Sequence, residues 1–286
     1  MGKKLLVTGA TGFVGNYVVE ELLKRNIEVM ATSSNTEKAK QFDWFNKVKY
    51  VELNFNNLDA TINYFELFDK PKAMIHLAWE GLPNYKNDFH LTENLPRHQL
   101  FLNNLIQNGL KDITSIGTCF EYGMQEGMLN EEAECKPNNA YAKAKNELRI
   151  FLEKAALSIP INLKWARLFY MYGLGQNPKS LIAQLDAAIS NNEPVFNMSG
   201  GEQIRDYLPI EKIAENIVTI ALQNEVVGVI NCCSNEPVTI KQLVENYITS
   251  RHKKIKLNLG FYPYSDIEPM KFWGNNQKLK RIINSF

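Results

Sequence analysis

Tyr141 and Lys145 stand four residues apart in Tyr141-Ala142-Lys143-Ala144-Lys145, which puts both on one face of a helix. A tyrosine of pKa ~10 is mostly protonated at neutral pH, and an ammonium ~4–6 Å away lowers that value by roughly 1–3 units. The pair can then trade a proton with a carbonyl or an alkoxide. Taken alone, Tyr-x-x-x-Lys is also what a plain amphipathic helix carries. Upstream, Ser115-Ile116-Gly117-Thr118-Cys119-Phe120-Glu121-Tyr122-Gly123 reads as a strand ending in a small hydroxyl residue. Ligands of open α/β sheets bind at that edge, so Thr118 is placed to orient a reacting oxygen, whereas Ser115 lies too far back in the strand. Near the start, the run from Leu5 ends in Gly9, Gly12 and Gly15 and continues to Lys24 with apolar residues at helical intervals. That is strand, tight turn, helix. Side chains at those glycines would hold a pyrophosphate off the backbone and the helix off the strand. The helix start offers unpaired N–H groups and the positive dipole end, so a nucleotide cofactor is expected. The spacing is GxxGxxG, and no GxxxxGK[ST] follows, which argues against a P-loop ATPase.

These groups need elements to hold them. Candidate strands are residues 4–8, 28–32, 49–53, 73–77, 113–117 and 162–167, and candidate helices begin near Gly12, Thr36, Asn57, Leu95 and Tyr141, with Asn138-Asn139 as a cap. Such alternation predicts an α/β fold, a doubly wound parallel sheet of Rossmann type. Beyond Tyr172 the rhythm breaks at Gly173, Gly175, Pro178, Pro194, Gly200, Gly201 and Pro209. The expected organisation is a dinucleotide-binding domain over residues 1–170 and a smaller C-terminal substrate-binding lobe over 171–286, which may return elements to the first domain. Helices near 180–191 and 210–223 are expected within the lobe.

The 286 residues suffice for a large core, and 45% apolar and 22% charged residues suit a soluble globular protein. A net charge of +1 without a long basic run predicts neither nucleic acid nor a membrane surface as partner. No apolar stretch reaches the ~18 residues that span a bilayer, and no signal peptide is visible. Cys119, Cys135, Cys232 and Cys233 lack metal-ligand spacing and read as reduced thiols of a cytoplasmic protein. His76, His90, His98 and His252 form no ligand pattern either, so no metal is expected and structural or surface roles are assigned to them.

Taken in order, TGATGFVG, the IHLA of residues 75–78, TCFEYG, YAKAK, the RLFYMYG of residues 167–173 and Gln203-Ile204-Arg205-Asp206-Tyr207 resemble the extended short-chain dehydrogenase/reductase family, in its nucleotide-sugar epimerase/dehydratase branch. The likeness runs from about Lys4 to Ala221. It implies that Gly9, Gly12 and Gly15, with Thr11, Phe13 and Val14, bind the dinucleotide pyrophosphate, and that Leu53, Leu77 and Ala78 line the cofactor. It implies a catalytic triad of Thr118, Tyr141 and Lys145, the lysine also holding the nicotinamide ribose. Arg205 matches an arginine that clamps the sugar nucleotide's diphosphate.

The departures narrow the expectation. No acidic residue follows the second strand; Ser33, Ser34 and Lys38 suit a 2′-phosphate, so NADP is favoured over NAD. Sugar dehydratases carry Asp-Glu directly after the triad hydroxyl. Here Cys119 and Phe120 stand there and Glu121 comes one place late, which disfavours water elimination. Tyr170 replaces an asparagine that touches substrate, and Trp79 either shapes the sugar pocket or packs in the core. The resemblance thus implies an NADPH-dependent reductase of the C4 ketone of a nucleotide-linked 4-keto-6-deoxyhexose, most simply a dTDP-sugar, acting as a homodimer. The rivals are a 4-epimerase with tightly held NAD and a dinucleotide-sensing protein without turnover.

Overall fold

A computed structural model describes residues 4–285. Seven parallel strands form the main sheet: β1 (Lys4–Thr8), β2 (Glu28–Ser33), β3 (Lys49–Glu52), β4 (Ala73–His76), β5 (Asp112–Thr118), β6 (Asn162–Leu168) and β7 (Gly228–Cys232). Their spatial order is β7-β6-β5-β4-β1-β2-β3. The expected doubly wound, Rossmann-type sheet is therefore present. Successive β1 side chains serve opposite faces, as a strand requires. Leu5 and Val7 join Val18, Leu22, Ile213 and Ile217 on one face. Leu6 joins Met74, Phe101, Leu105 and Leu148 on the other. With both faces covered, β5 is buried along its whole length.

The helices are α1 (Phe13–Lys24), α2 (Thr36–Ala39), α3 (Tyr64–Leu67), α4 (Leu95–Gln107), α5 (Ala140–Ser158), α6 (Leu181–Ser190), α7 (Ile210–Leu222), α8 (Ile240–Ser250) and α9 (Gln277–Asn284). Asn139 caps α5, its Oδ1 accepting the Ala142 N–H at 2.9 Å. Ile182, Leu185, Phe196, Leu243 and Val244 form a separate core between α6 and α8.

Two expectations change. The helix expected from Asn57 shrinks to a tight turn at 55–57 and the single turn α3, because Asp59 takes the Thr61 N–H and hydroxyl into a local turn instead. The helix at 210–222 lies not in the smaller lobe but on α1, and its Ile213, Ile217 and Ile220 belong to the main core. Its apolar face fits the sheet, and β7 follows it as the edge strand. Among the described residues no helix is long and apolar enough to cross a membrane.

The strand order reverses between β1 and β4, and a crevice opens outside their carboxyl ends. The glycine turn follows β1, Leu77 and Ala78 follow β4, and Thr118 ends β5.

Candidate active site

The glycine turn is tight enough to exclude side chains. Gly12 N–H bonds Gly9 O at 2.9 Å. Gly9 has φ of +68°, and a Cβ there would stand 2.7 Å from Ala78 N. A Cβ on Gly15 would stand 2.1 Å from Gly9 O. No side chain caps the start of α1 and its first turn holds no acidic residue, so its N–H groups face the crevice without an internal acceptor. This cradle fits a dinucleotide pyrophosphate. Thr11 is buried beside it, and Phe13 and Val14 are half-buried.

The adenosine end is more open. Ser33 Oγ lies 2.9 Å from the Tyr50 hydroxyl, and Ser34 and Lys38 are exposed at the end of β2 and on α2. Leu53 N–H bonds Ser33 O at 3.0 Å. The carboxylate beside them is Glu52 at the end of β3, and it takes both the backbone N–H of Thr36, at 2.9 Å, and its hydroxyl. Glu37 lies on α2, paired with Lys40.

Thr118, Tyr141 and Lys145 come together. Thr118 is fixed through its own N–H, which donates to Glu121 Oε1 at 2.8 Å. Glu121 is fully buried and also accepts from Trp165 Nε1 at 3.1 Å and Arg167 Nε at 2.9 Å. The late carboxylate thus points into the interior, away from any substrate. Ser115 is buried in β5, its hydroxyl without a partner among the described residues.

Tyr141 sits in the first turn of α5, where its N–H donates to Tyr85 O at 3.0 Å and its phenol lies beside the Thr118 side chain. The rings of Trp79, Tyr85 and His90 surround it at 6.1, 5.5 and 5.4 Å between centroids. Lys145 Nζ lies 4.3 Å from the Trp79 ring centre, a cation–π contact. Trp79 therefore does two things: it stacks on His98 at 4.7 Å and it floors the ammonium.

Behind Trp79 runs a buried relay whose hydrogens can be assigned. Thr8 Oγ1 accepts the N–H groups of Leu77 and Ala78 at 3.2 and 3.3 Å, so its own hydrogen goes to His76 Nδ1 at 2.8 Å. His76 Nε2 then donates to His98 Nδ1 at 2.9 Å, and His98 Nε2 to Glu80 Oε2 at 3.2 Å. Both rings are neutral in this arrangement, and burial holds both pKa values below that of a free histidine.

One expectation about proton affinity is overturned. The Tyr141 phenol is not brought below its ordinary value. Burial pushes that phenol up, with Tyr85, Glu121 and Cys119 adding to the rise and the Thr118 hydrogen bond opposing it. Burial also takes Lys145 down to about 7, so near neutrality it is no longer a full cation.

Tyr170 and Arg205 lie further out, joined to the triad by a run of rings. Tyr85 touches Phe120 at 5.2 Å, Phe120 touches Tyr170 at 6.3 Å, and Tyr170 touches Tyr207 at 5.1 Å. Arg205 does not pair with Asp206. That carboxylate accepts from Ser234 N and Oγ, both at 2.7 Å, and from Asn235 N at 2.8 Å, and so ties down the turn after β7. Arg205 pairs instead with Glu268 at 3.0 Å. Sequence reasoning missed Glu80, Tyr85, Glu268 and the roles of His76, His90 and His98, because none belongs to a local spacing that signals them. Among the described residues no cluster of His, Cys, Asp and Glu could hold a metal.

The sequence pattern of the NAD dependent epimerase/dehydratase family matches residues 5–233. The dTDP-6-deoxy-L-talose 4-dehydrogenase (NAD(+)) of Aggregatibacter actinomycetemcomitans is 29% identical over 273 residues, covering 94% of this chain and 98% of its own. The dTDP-4-dehydro-6-deoxyglucose reductase of Escherichia coli is 26% identical over 267 residues, covering 87% and 82%. Among solved structures, UDP-glucuronic acid 4-epimerase from Bacillus cereus, in complex with UDP-glucuronic acid and NAD, superposes with a TM-score of 0.83 at 22% identity, covering 98% of this chain and 93% of the other.

Proposed function

The chain belongs to the NAD dependent epimerase/dehydratase family, and we propose that within it the protein is an NADPH-dependent reductase of the C4 ketone of a dTDP-linked 4-keto-6-deoxyhexose, serving surface-polysaccharide deoxysugars. The observation that carries this reading is the grouping of Thr118, Tyr141 and Lys145 with no carboxylate in the two places after Thr118: Cys119 and Phe120 stand there, Glu121 is locked in the interior, and Glu80, beside Lys145, is engaged by His98. A hydroxyl, a phenol and an amine suit transfer of a proton to an alkoxide, and elimination of water lacks its acid and base. The names of the two relatives, both enzymes of dTDP-linked 6-deoxyhexose oxidation or reduction, support the substrate class.

The roles follow from the chain's own groups. Burial keeps Tyr141 protonated through neutral pH, which suits a general acid toward the C4 oxygen. Thr118, beside that phenol, would give its single hydroxyl hydrogen to the same substrate oxygen as negative charge develops. Lys145, on its tryptophan floor, would hold the nicotinamide ribose. Gly9, Gly12 and Gly15, with Thr11, Phe13 and Val14, would seat the pyrophosphate, and Leu53, Leu77 and Ala78 would line the cleft. When bound, the reduced nicotinamide supplies the hydride. Ser34 and Lys38 would meet a 2′-phosphate, while Glu52, the carboxylate nearest them, is turned to Thr36 through Oε2. Trp79 would face the sugar and Arg205 its diphosphate. Leu100 on α4 and Leu157 on α5 stay exposed, as a homodimer through these helices would use.

The test is reduction of a panel of dTDP-, UDP-, GDP- and CDP-linked 4-keto sugars with NADPH and NADH, alongside identification of any nucleotide released from the purified protein. Oxidation of NADPH with a dTDP-4-keto sugar, at higher kcat/KM than NADH, is the expected result. Faster turnover with NADH overturns the cofactor half of the reading. Stoichiometric tightly held NAD with C4 inversion makes the protein an epimerase, and absence of any turnover makes it a sensor.

A further inference from the structure

Tyr170 and Arg205 come from distant parts of the chain and end on one oxygen. The Tyr170 hydroxyl donates to Glu268 Oε2 at 2.6 Å. Arg205 Nε and Nη2 donate to the same atom at 3.2 and 3.0 Å. Arg205 Nη1 is spent on the carbonyl oxygens of Ile204 and Met270, at 2.9 and 3.1 Å. A guanidinium has five N–H donors, so little is left to grip a ligand while Glu268 stays. Arg205 is 4% exposed, and the Glu268 side chain is 20% exposed.

The segment carrying Glu268 is held by few contacts, one of them the Tyr264 hydroxyl donating to Glu202. Phe261, Tyr262 and Tyr264 are exposed along it. Its ends are pinned, with Phe261 N–H on Met198 O at 3.0 Å and Ile204 N–H on Met270 O at 2.9 Å. Between them, Asp266 meets Lys86 at 3.2 Å in an exposed ion pair of small worth, and Ile267 O accepts from Asn138 Nδ2 at 3.1 Å. Ile267 lines a cavity with Pro83, Asn84, Tyr85, Lys86 and Asn87. The segment therefore crosses the cleft mouth, next to the ring that packs on Tyr141.

We propose that Glu268 is an internal anion that holds Tyr170 and Arg205 until the diphosphate of an incoming nucleotide sugar takes both, so that residues 261–270 form a strap released by substrate. The inference rests on the reading that Arg205 meets that diphosphate. A carboxylate in an arginine fork occupies the geometry a phosphate uses. A buried guanidinium left without a counter-charge is costly, so the strap rests on Arg205 most of the time and is displaced fully when another anion arrives. A diphosphate brings more charge than Glu268; a free sugar or a nucleoside brings none. The exchange selects diphosphate-linked sugars at the binding step.

The experiment uses the whole protein with dTDP as probe and thymidine as control. Hydrogen exchange in residues 261–270 should speed by about tenfold with saturating dTDP and stay unchanged with thymidine. By calorimetry, Glu268→Gln should bind dTDP about tenfold tighter, because an internal competitor that occupies the site nine-tenths of the time divides the apparent affinity by that factor. Exchange that is unchanged or slower with dTDP, while Arg205→Ala weakens dTDP binding, overturns the strap and leaves the diphosphate reading standing. If Arg205→Ala leaves dTDP binding unaltered, both fall.

Discussion

The cleft has two ends that are held in opposite ways. At the inner end, Thr118, Tyr141 and Lys145 are fixed by neighbours from the segments that follow β4 and β5: Glu121 behind Thr118, Tyr85 O on the Tyr141 amide, and Trp79 under Lys145. Two of these partners are themselves anchored, Glu121 by Arg167 and Trp165, Trp79 by the ring of His98. At the outer end, Tyr170 and Arg205 are held by one carboxylate on an exposed segment. The groups proposed to do chemistry are set before substrate arrives, as electrostatic preorganisation requires. The groups proposed to recognise substrate are engaged in a contact that an anion can replace.

The contrast makes four measurable claims. Tyr141→Phe should keep the fold and nucleotide affinity while lowering kcat for ketone reduction by about 100-fold or more, the usual loss of a general acid; ketone reduction near the parent rate removes this phenol from the reaction. Glu121→Gln should cost about 3 kcal/mol in denaturant unfolding, because it strips the counter-charge from buried Arg167 and loosens Thr118. A loss as small as that of a surface substitution would mean the inner end is not rigidly held.

The third claim concerns acid. His76 and His98 have folded pKa values below the unfolded value, so below about pH 6.5 the unfolded chain binds more protons than the folded one. Their contribution is intact above that pH and is lost as pH falls, more for His76, which burial holds furthest down, than for His98, whose Glu80 partner opposes the shift. Thermal melts at pH 7.5 and 5.5 should show the drop, and replacing His98 with Gln should shrink it. The smallest effect belongs to the outer end. Tyr170→Phe removes one of the hydrogen bonds on Glu268, so global stability should change by about 1 kcal/mol or less, with faster exchange confined to residues 261–270. A large global loss would make Tyr170 part of the rigid half.

Much of the inner end was legible because its signals are local. Three glycines, a strand-ending threonine and a Tyr–Lys pair one helical turn apart each fall within a few residues, and six of the seven sheet strands follow from the alternation of apolar strands and helices, the edge strand β7 being the one not read there. The supports were not legible. Glu80, His76 and His98 become a relay only once β4 and α4 lie side by side, and Glu268 meets Arg205 across 63 residues of chain. The Tyr141 pKa was misjudged for a related reason: spacing sets which charges can be neighbours, but desolvation by Tyr85 and the 79–90 segment depends on tertiary packing. The helix at 210–222 was assigned to the lobe because glycines and prolines precede it. Its apolar face answers instead to α1, a partner nearly two hundred residues away.

That return of the chain to the main sheet bears on engineering. After β6 the polypeptide leaves for the α6 region, comes back as α7 and β7, departs again for α8 and the strap, and ends with α9 against α7. A new specificity cassette could not be spliced in at one seam. It would need paired junctions on both sides of α7 and β7, and any hybrid cut once near residue 170 would lose the edge strand that completes the sheet.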